Sequence, residues 1–227
     1  MKIMIKIATM PMNPFGENTY ILYNEALEAI VLDAGMSSQT ERDRFAAFID
    51  KNKLKPVLAL NTHAHIDHVC GVEWVKNTYS VPFALNADDV PVLQAVMSYG
   101  ESLGFDIATI PGVDNQIVDG QTIMLGNDVM KVIHTPGHTS GGVCLWIEAQ
   151  KILITGDTLF RESIGRTDLP SGDYDMLIRS IVGRILPLGS DVTFFPGHGP
   201  SSTIGYEMQR NPFITEVMSG VAKFKAN

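Results

Sequence analysis

Eight consecutive residues, Asn61 to His68 (N-T-H-A-H-I-D-H), carry four side chains able to bind a metal: His63, His65, Asp67 and His68. The chain has only six histidines, and three of them fall in this stretch. A polar loop that gathered them by accident is a poor account of that density. A single zinc takes three or four protein ligands, so the cluster could satisfy one ion alone. The spacing argues for more. In an extended turn, side chains two apart point the same way, so His63 and His65 can share one ion. Asp67 and His68 lie past the bend and face a second position more easily.

The elements around the motif say how it is held. Pro56-Val57-Leu58-Ala59-Leu60 is a short apolar run that reads as a buried strand. Val69, Val72 and Val75 then recur three apart, as on a helix. The motif therefore occupies a strand-to-helix turn, where open α/β sheets bind their ligands. Three more apolar runs end in a donor. Val129 to Ile133 leads to Thr135-Pro136-Gly137-His138, Ile152 to Thr155 leads to Gly156-Asp157, and Val192 to Phe195 leads to Pro196-Gly197-His198. Strands lying side by side would bring these ends to one edge. The result is seven nitrogen or oxygen donors and no thiolate. That is too many for one ion, and it suits two ions about 3.5–4 Å apart. Asp157 is the natural bridge, because a carboxylate offers one oxygen to each metal and an imidazole does not.

The remaining pattern supplies the scaffold. Lys2 to Thr9 alternates like a strand, Phe15 to Asn18 reads as a turn, and Thr19 to Tyr23 and Ala29 to Leu32 read as strands. Ser37 or Ser38 can cap a helix with Phe45, Phe48 and Ile49 inward, closing near Asn52. Val81 to Leu85 is a short strand restricted by Pro82. Ala87 to Tyr99 reads as a helix with Val92, Leu93, Val96 and Met97 on one face. Gly100 to Gly112 is loop-like and the best candidate for a flap. Gly142 to Ile147 is a strand, and Tyr174 to Leu186 a helix with Leu177, Ile178, Ile181, Ile185 and Leu186 inward. No linker rich in Pro, Gly and Ser divides the chain. The expectation is one α/β domain over residues 1–227, two sheets with helices outside.

Composition narrows the partners. The 227 residues are 45% hydrophobic and 19% charged, ordinary for a globular protein. A net charge of −8 argues against nucleic acid or an anionic membrane and leaves a small-molecule substrate. Met1 to Met10 lacks the apolar core and cleavage site of a signal peptide. No run approaches a membrane span. The two cysteines, Cys70 and Cys144, form no C-x-x-C. A cytoplasmic protein is expected.

The motifs T-H-A-H-I-D-H, H-T-P-G-H-T-S-G, G-D-T-L-F and F-P-G-H-G resemble those of the metallo-β-lactamase fold superfamily, and within it most resemble the glyoxalase II group, the hydroxyacylglutathione hydrolases. N-P-F-G-E-N-T-Y-I-L and I-G-R-T-D-L-P extend the resemblance over most of the chain. The resemblance implies a four-layer αββα sandwich with two mixed sheets. It implies that His63, His65 and His138 hold one metal, that Asp67, His68 and His198 hold a second, and that Asp157 bridges them. The implied cofactors are two divalent ions, zinc first, with iron or manganese as alternatives. The expected chemistry is hydrolysis of a thioester such as S-D-lactoylglutathione by a metal-bound hydroxide that Asp67 orders. A lactonase or other ester hydrolase of the same fold, or a mononuclear-iron persulfide dioxygenase, are the alternatives.

The chain also departs from that group. Only 29 residues follow His198, so the helical domain that helps hold glutathione in the larger enzymes is not expected. Pro200 stands where those enzymes have a tyrosine. Arg166 keeps a basic residue expected to bind substrate, although Asp168 beside it could simply pair with it. That shorter form looks like the compact bacterial glyoxalase II-like hydrolases. His134, separated from His138 by Pro136 and Gly137, shares no helix with it and reads as structural. Cys70 reads as a small buried hydrophobe.

Overall fold

Strands that are apolar on both faces need a layer on each side. Val143–Ile147 is buried at every position and Glu28–Leu32 at all but one. The computed structural model, which describes residues 4–107 and 109–220, meets that need with four layers. The first sheet holds β1 (Lys6–Met12), β2 (Glu17–Tyr23), β3 (Glu28–Leu32), β4 (Lys55–Leu60), β5 (Phe83–Asn86) and β6 (Asn115–Ile117), side by side in chain order. Pairing is antiparallel from β1 to β3 and parallel from β3 to β6. Parallel neighbours need crossovers. Helix α1 (Gln39–Asn52) supplies the first, α2 (Ile66–Val69) and α3 (Val72–Tyr79) the second, and α4 (Val90–Tyr99) lies in the third.

The second sheet contains β7 (Thr122–Leu125), β8 (Asp128–His134), β9 (Val143–Ile147) and β10 (Ile152–Gly156). A two-stranded hairpin, β11 (Leu159–Phe160) and β12 (Ser163–Ile164), follows, then α5 (Tyr174–Ser180). Strands β13 (Thr193–Pro196) and β14 (Ser202–Thr203) complete that sheet, with β13 parallel to β10. Helices α6 (Ile204–Arg210) and α7 (Pro212–Met218) come last. Among the described residues no helix is long and apolar enough to cross a membrane.

Alternation along each strand assigns its side chains to layers. In β3, Ala29 and Val31 face Phe45, Ile49, Val72, Val75 and Leu93 of the outer helices. Ile30 and Leu32 face the second sheet, where they meet Met130, Val132, Leu145 and Ile154. The far side of that sheet presents Cys144, Trp146, Leu153 and Phe194 to Leu177, Ile178, Ile181 and Ile185. This is the four-layer αββα sandwich, with two mixed sheets.

Several boundaries differ from the sequence reading. The first strand begins at Lys6 and runs through Pro11, because it pairs residue for residue with β2 down to Met12 and Glu17. Met1 to Ile3 lie outside the described residues. The helix after the histidine motif is two pieces. Gly71 interrupts it because the backbone passes so near β3's end that a Cβ there would sit 2.8 Å from the Ala34 oxygen. Residues Ala87–Asp89 form a 3₁₀ turn, and Pro91 opens α4 after it. Met97 is 51% exposed, so the buried face of α4 is Leu93 and Val96. The helix from Tyr174 widens into a π turn over Ile181–Ile185. The expected flap contains a 3₁₀ turn at Glu101–Leu103 and is anchored by buried Phe105; Ala108 in it lies outside the described residues. Of the two serines, Ser38 is the cap: it accepts from the Glu41 amide at 3.3 Å, while the Glu41 carboxylate accepts from the Ser38 amide at 3.0 Å.

Candidate metal centre

Strand β4 ends at Leu60, and the next side chain curls the backbone. Asn61 Nδ2 donates to the carbonyls of His63 (3.2 Å) and His68 (2.7 Å), folding the motif back on itself. His65 is extended (φ −66°, ψ 153°) and opens α2, whose single turn presents Asp67 and His68. Asn13 Nδ2 ties the Asp67 carbonyl at 2.9 Å. From the second sheet, β8, β10 and β13 each run out at the same edge and deliver His138, Asp157 and His198. Gly137 precedes His138 with φ 134°, and a Cβ there would meet the Leu177 amide at 2.2 Å, so only glycine fits.

All seven side chains converge. The donor atoms of His63, His65 and His138 lie within 4.8 Å of one another, as do those of Asp67, His68 and His198. His65 Nδ1 is 2.8 Å from His138 Nε2. His198 Nε2 is 3.1 Å from Asp67 Oδ2 and 3.3 Å from His68 Nε2. Asp157 stands between the groups. Its Oδ2 is 3.5 Å from His138 Nε2 and 3.6 Å from His198 Nε2, and its Oδ1 is 3.4 Å from His68 Nε2.

The donor set fits divalent cations. His63 Nε2 and Asp157 Oδ1 are buried and have no hydrogen-bond partner among the described residues. Such orphaned atoms are costly unless something else satisfies them. Imidazole and carboxylate suit zinc, iron and manganese alike. Burial, reinforced by neighbouring imidazoles, lowers His65 to about 3 and keeps His63 well below its ordinary range. Burial likewise brings His138 to about 4. These three rings are thus neutral at pH 7, the form that ligates metal. Burial opposes charge on Asp67 too, but His68 and His198 outweigh it and hold the carboxyl below its usual range.

The carboxylate of Asp33, at the end of β3, backs both groups. Its Oδ1 accepts from the Thr62 amide (2.7 Å) and its Oδ2 from the Thr62 hydroxyl (2.6 Å). That hydroxyl lies 3.1 Å from His63 Nδ1. Asp33, Asp89 and Asn18 were not singled out from sequence. Asp33 carried a signal: like the ligand-bearing strands, β3 ends in a potential donor. Asp89 falls near the start of the expected helix Ala87 to Tyr99, and Asn18 in the expected turn Phe15 to Asn18.

His134 stands apart from the cluster, its Nε2 2.9 Å from the Ser140 carbonyl. Arg166 turns its guanidinium to Asp168 in a two-pronged pair at 2.8 and 2.7 Å, largely exposed. What reaches the centre is its backbone carbonyl, 2.8 Å from His138 Nδ1. That contact fixes His138 with Nε2 toward the other donors.

A profile of the Metallo-beta-lactamase superfamily matches residues 12–203. The chain belongs to that superfamily. It is a metallo-hydrolase on that footing, with a histidine–aspartate cluster suited to divalent metals. Hydroxyacylglutathione hydrolase GloC of Haemophilus influenzae is 31% identical over 217 residues, covering 92% of this chain and 98% of the relative. The crystal structure of BLEG-1 B3 metallo-beta-lactamase superposes with a TM-score of 0.84 at 35% identity, covering 92% of this chain and all of that one. The structure of TTHA1623 in a di-iron-bound form superposes at 0.81 with 31% identity, covering 92% and 99%.

Proposed function

We propose that this chain hydrolyses a thioester, S-D-lactoylglutathione or a relative of it, at a two-metal centre. His63, His65 and His138 would hold one ion, Asp67, His68 and His198 the other, with Asp157 between them. The observation that carries the reading is the position of Asp157, whose two oxygens approach imidazoles of both groups. Divalent ions held there, zinc first and iron as the di-iron relative suggests, would lower the pKa of coordinated water toward about 7 and polarise the scissile carbonyl. Asp67, ionised as a metal-binding carboxylate must be, would orient the attacking water while helping to hold its ion. The neutral His63, His65 and His138 keep their lone pairs free for ligation. Arg166 would meet the thiol portion of the substrate only by leaving Asp168. The likeness to hydroxyacylglutathione hydrolase GloC supports the thioester.

The deciding experiment follows loss of the thioester absorbance when purified protein meets S-D-lactoylglutathione. Turnover that vanishes in Asp157→Ala supports the reading. No turnover by metal-loaded protein overturns it for this substrate. The likeness to a B3 metallo-beta-lactamase favours a cyclic amide as the second reading, and a chromogenic cephalosporin tests it in the same assay.

A further inference from the structure

Each group of three donors draws ligands from both sheets. His63 and His65 follow β4 of the first, and His138 follows β8 of the second. Asp67 and His68 sit on α2, and His198 follows β13. Something must fix the distance between the sheets at each group, or the donors would not stay together.

At the first group one backbone bond crosses, from the Val143 amide to the Thr62 carbonyl at 2.9 Å. Outside the donors themselves, the only side chain that hydrogen-bonds to both ligand turns there, among the described residues, is Asp89, which is fully buried. Its Oδ2 accepts from the amide of Ala64, the residue between His63 and His65, at 2.8 Å. The same oxygen accepts from the hydroxyl of Thr139, next to His138, at 3.0 Å, and Oδ1 accepts from the Gly141 amide at 2.7 Å. The approach is so close that a Cβ on Gly141 would lie 2.5 Å from the Asp89 amide nitrogen.

At the second group the part that crosses is Asn18, on β2, which ties the His198 turn to the first sheet; among the described residues it makes no hydrogen bond to the Asp67–His68 turn. Its Nδ2 donates to the carbonyls of Pro196 (3.0 Å) and Gly199 (2.9 Å), one on each side of His198. Its amide donates to the Gly197 carbonyl at 2.7 Å. Tyr20 Oη adds a bond to Pro196 at 2.6 Å. Among the described residues, Asn18 makes no hydrogen bond at the His138 turn, and Asp89 none at the His198 turn.

We propose that Asp89 and Asn18 are positioning residues that clamp the two metal groups independently, Asp89 setting the His63–His65–His138 group and Asn18 the Asp67–His68–His198 group. The proposal rests on the two-metal reading above. Outer partners that orient metal ligands typically contribute 10–100-fold in metal affinity. The clamps differ in kind. Asp89 is an acceptor facing three donors, and Asn18 is a donor facing two carbonyls. Asp89→Asn therefore keeps the shape but sets an amide N–H against another donor. Asn18→Ala removes both side-chain bonds.

The test is titration of metal-free protein with cobalt(II), read by its visible absorption and by elemental analysis of ions per chain. His138→Ala and His198→Ala give the reference spectra for loss of each group. Asp89→Asn is expected to weaken one ion 10–100-fold, hold the other within about threefold, and leave a residual spectrum like that of His138→Ala. Asn18→Ala is expected to do the reverse and resemble His198→Ala. Thr139→Val, which removes one bond to Asp89, gives a smaller loss with the same selectivity and serves if Asp89→Asn does not fold. Equal weakening of both ions by both variants, or none, overturns the clamps while the two-metal reading stands. A wild-type chain that takes fewer than two cobalt ions overturns that reading, and the clamps with it.

Discussion

Asp33 Oδ2 stands 3.2 Å from His68 Nδ1, on the side of the ring away from Asp157. The same carboxylate reaches His63 through the Thr62 hydroxyl. One buried side chain thus backs an imidazole of each donor group. Asp33→Asn keeps the volume but exchanges an acceptor for a donor. It is expected to lower turnover and the affinity for both ions by 10–100-fold. Metal titration beside a thermal melt checks this, and unchanged affinity for both ions would refute it.

Gly197 packs against Asp157. A Cβ there would lie 2.1 Å from Asp157 Oδ1 and 2.8 Å from His68 Cε1. Gly197→Ala must push the Asp157 carboxylate aside. Elemental analysis is expected to find fewer than two ions per chain in a protein that still folds; full occupancy would show that the bridge tolerates the shift.

Arg166 and Asp168 are mostly exposed, and exposed ion pairs contribute little to stability. Arg166→Ala is expected to leave the melting temperature unchanged and to raise KM for a glutathione thioester with little change in kcat. An unchanged KM would remove Arg166 from the substrate site.

Phe45 lies edge-on to Trp74 and Tyr79, with ring centroids 6.0 and 6.2 Å away. It projects from α1 onto α3 and is fully buried. Phe45→Ala is expected to cost about 3–5 kcal/mol, read in urea by Trp fluorescence. The donors do not rest on that ring, so ions per chain should hold at two in the surviving native protein.

Cys144 is fully buried, its Sγ 3.3 Å from the Thr135 hydroxyl, and burial pushes the thiol up to about 11. Its thiolate is scarce at pH 8 and gains little until the pH nears that value. In a Cys70→Ser background a disulfide reagent at pH 8 is expected to label it only as fast as the protein unfolds. Rapid labelling in native buffer would show an opening that reaches the far face of the second sheet.

The sequence was most readable where chemistry and punctuation coincide. The strand before His63 and the runs before His138, Asp157 and His198 were visible, because donor residues or Gly–Pro turns mark their ends, and a serine cap was narrowed to Ser37 or Ser38. Three kinds of feature were not. The break between α2 and α3 depends on how near Gly71 comes to Ala34, a distance that no local pattern encodes. Strands β6 and β14, three and two residues long, owe their existence to neighbours rather than to their own propensity. Asp89 and Asn18 resemble common helix-start and turn residues, and their work is done on backbone 25 to 181 positions away.

The distribution of the donors along the chain imposes an order in time. A ribosome releases His63, His65, Asp67 and His68 early, but these leave both groups one member short. The first group becomes complete only when His138 emerges, and Asp157 follows after the next strand. The second waits for His198, 41 residues beyond Asp157. An incomplete nascent chain therefore presents at most one finished group of three, and occupancy at both marks a chain whose two sheets have been made and joined.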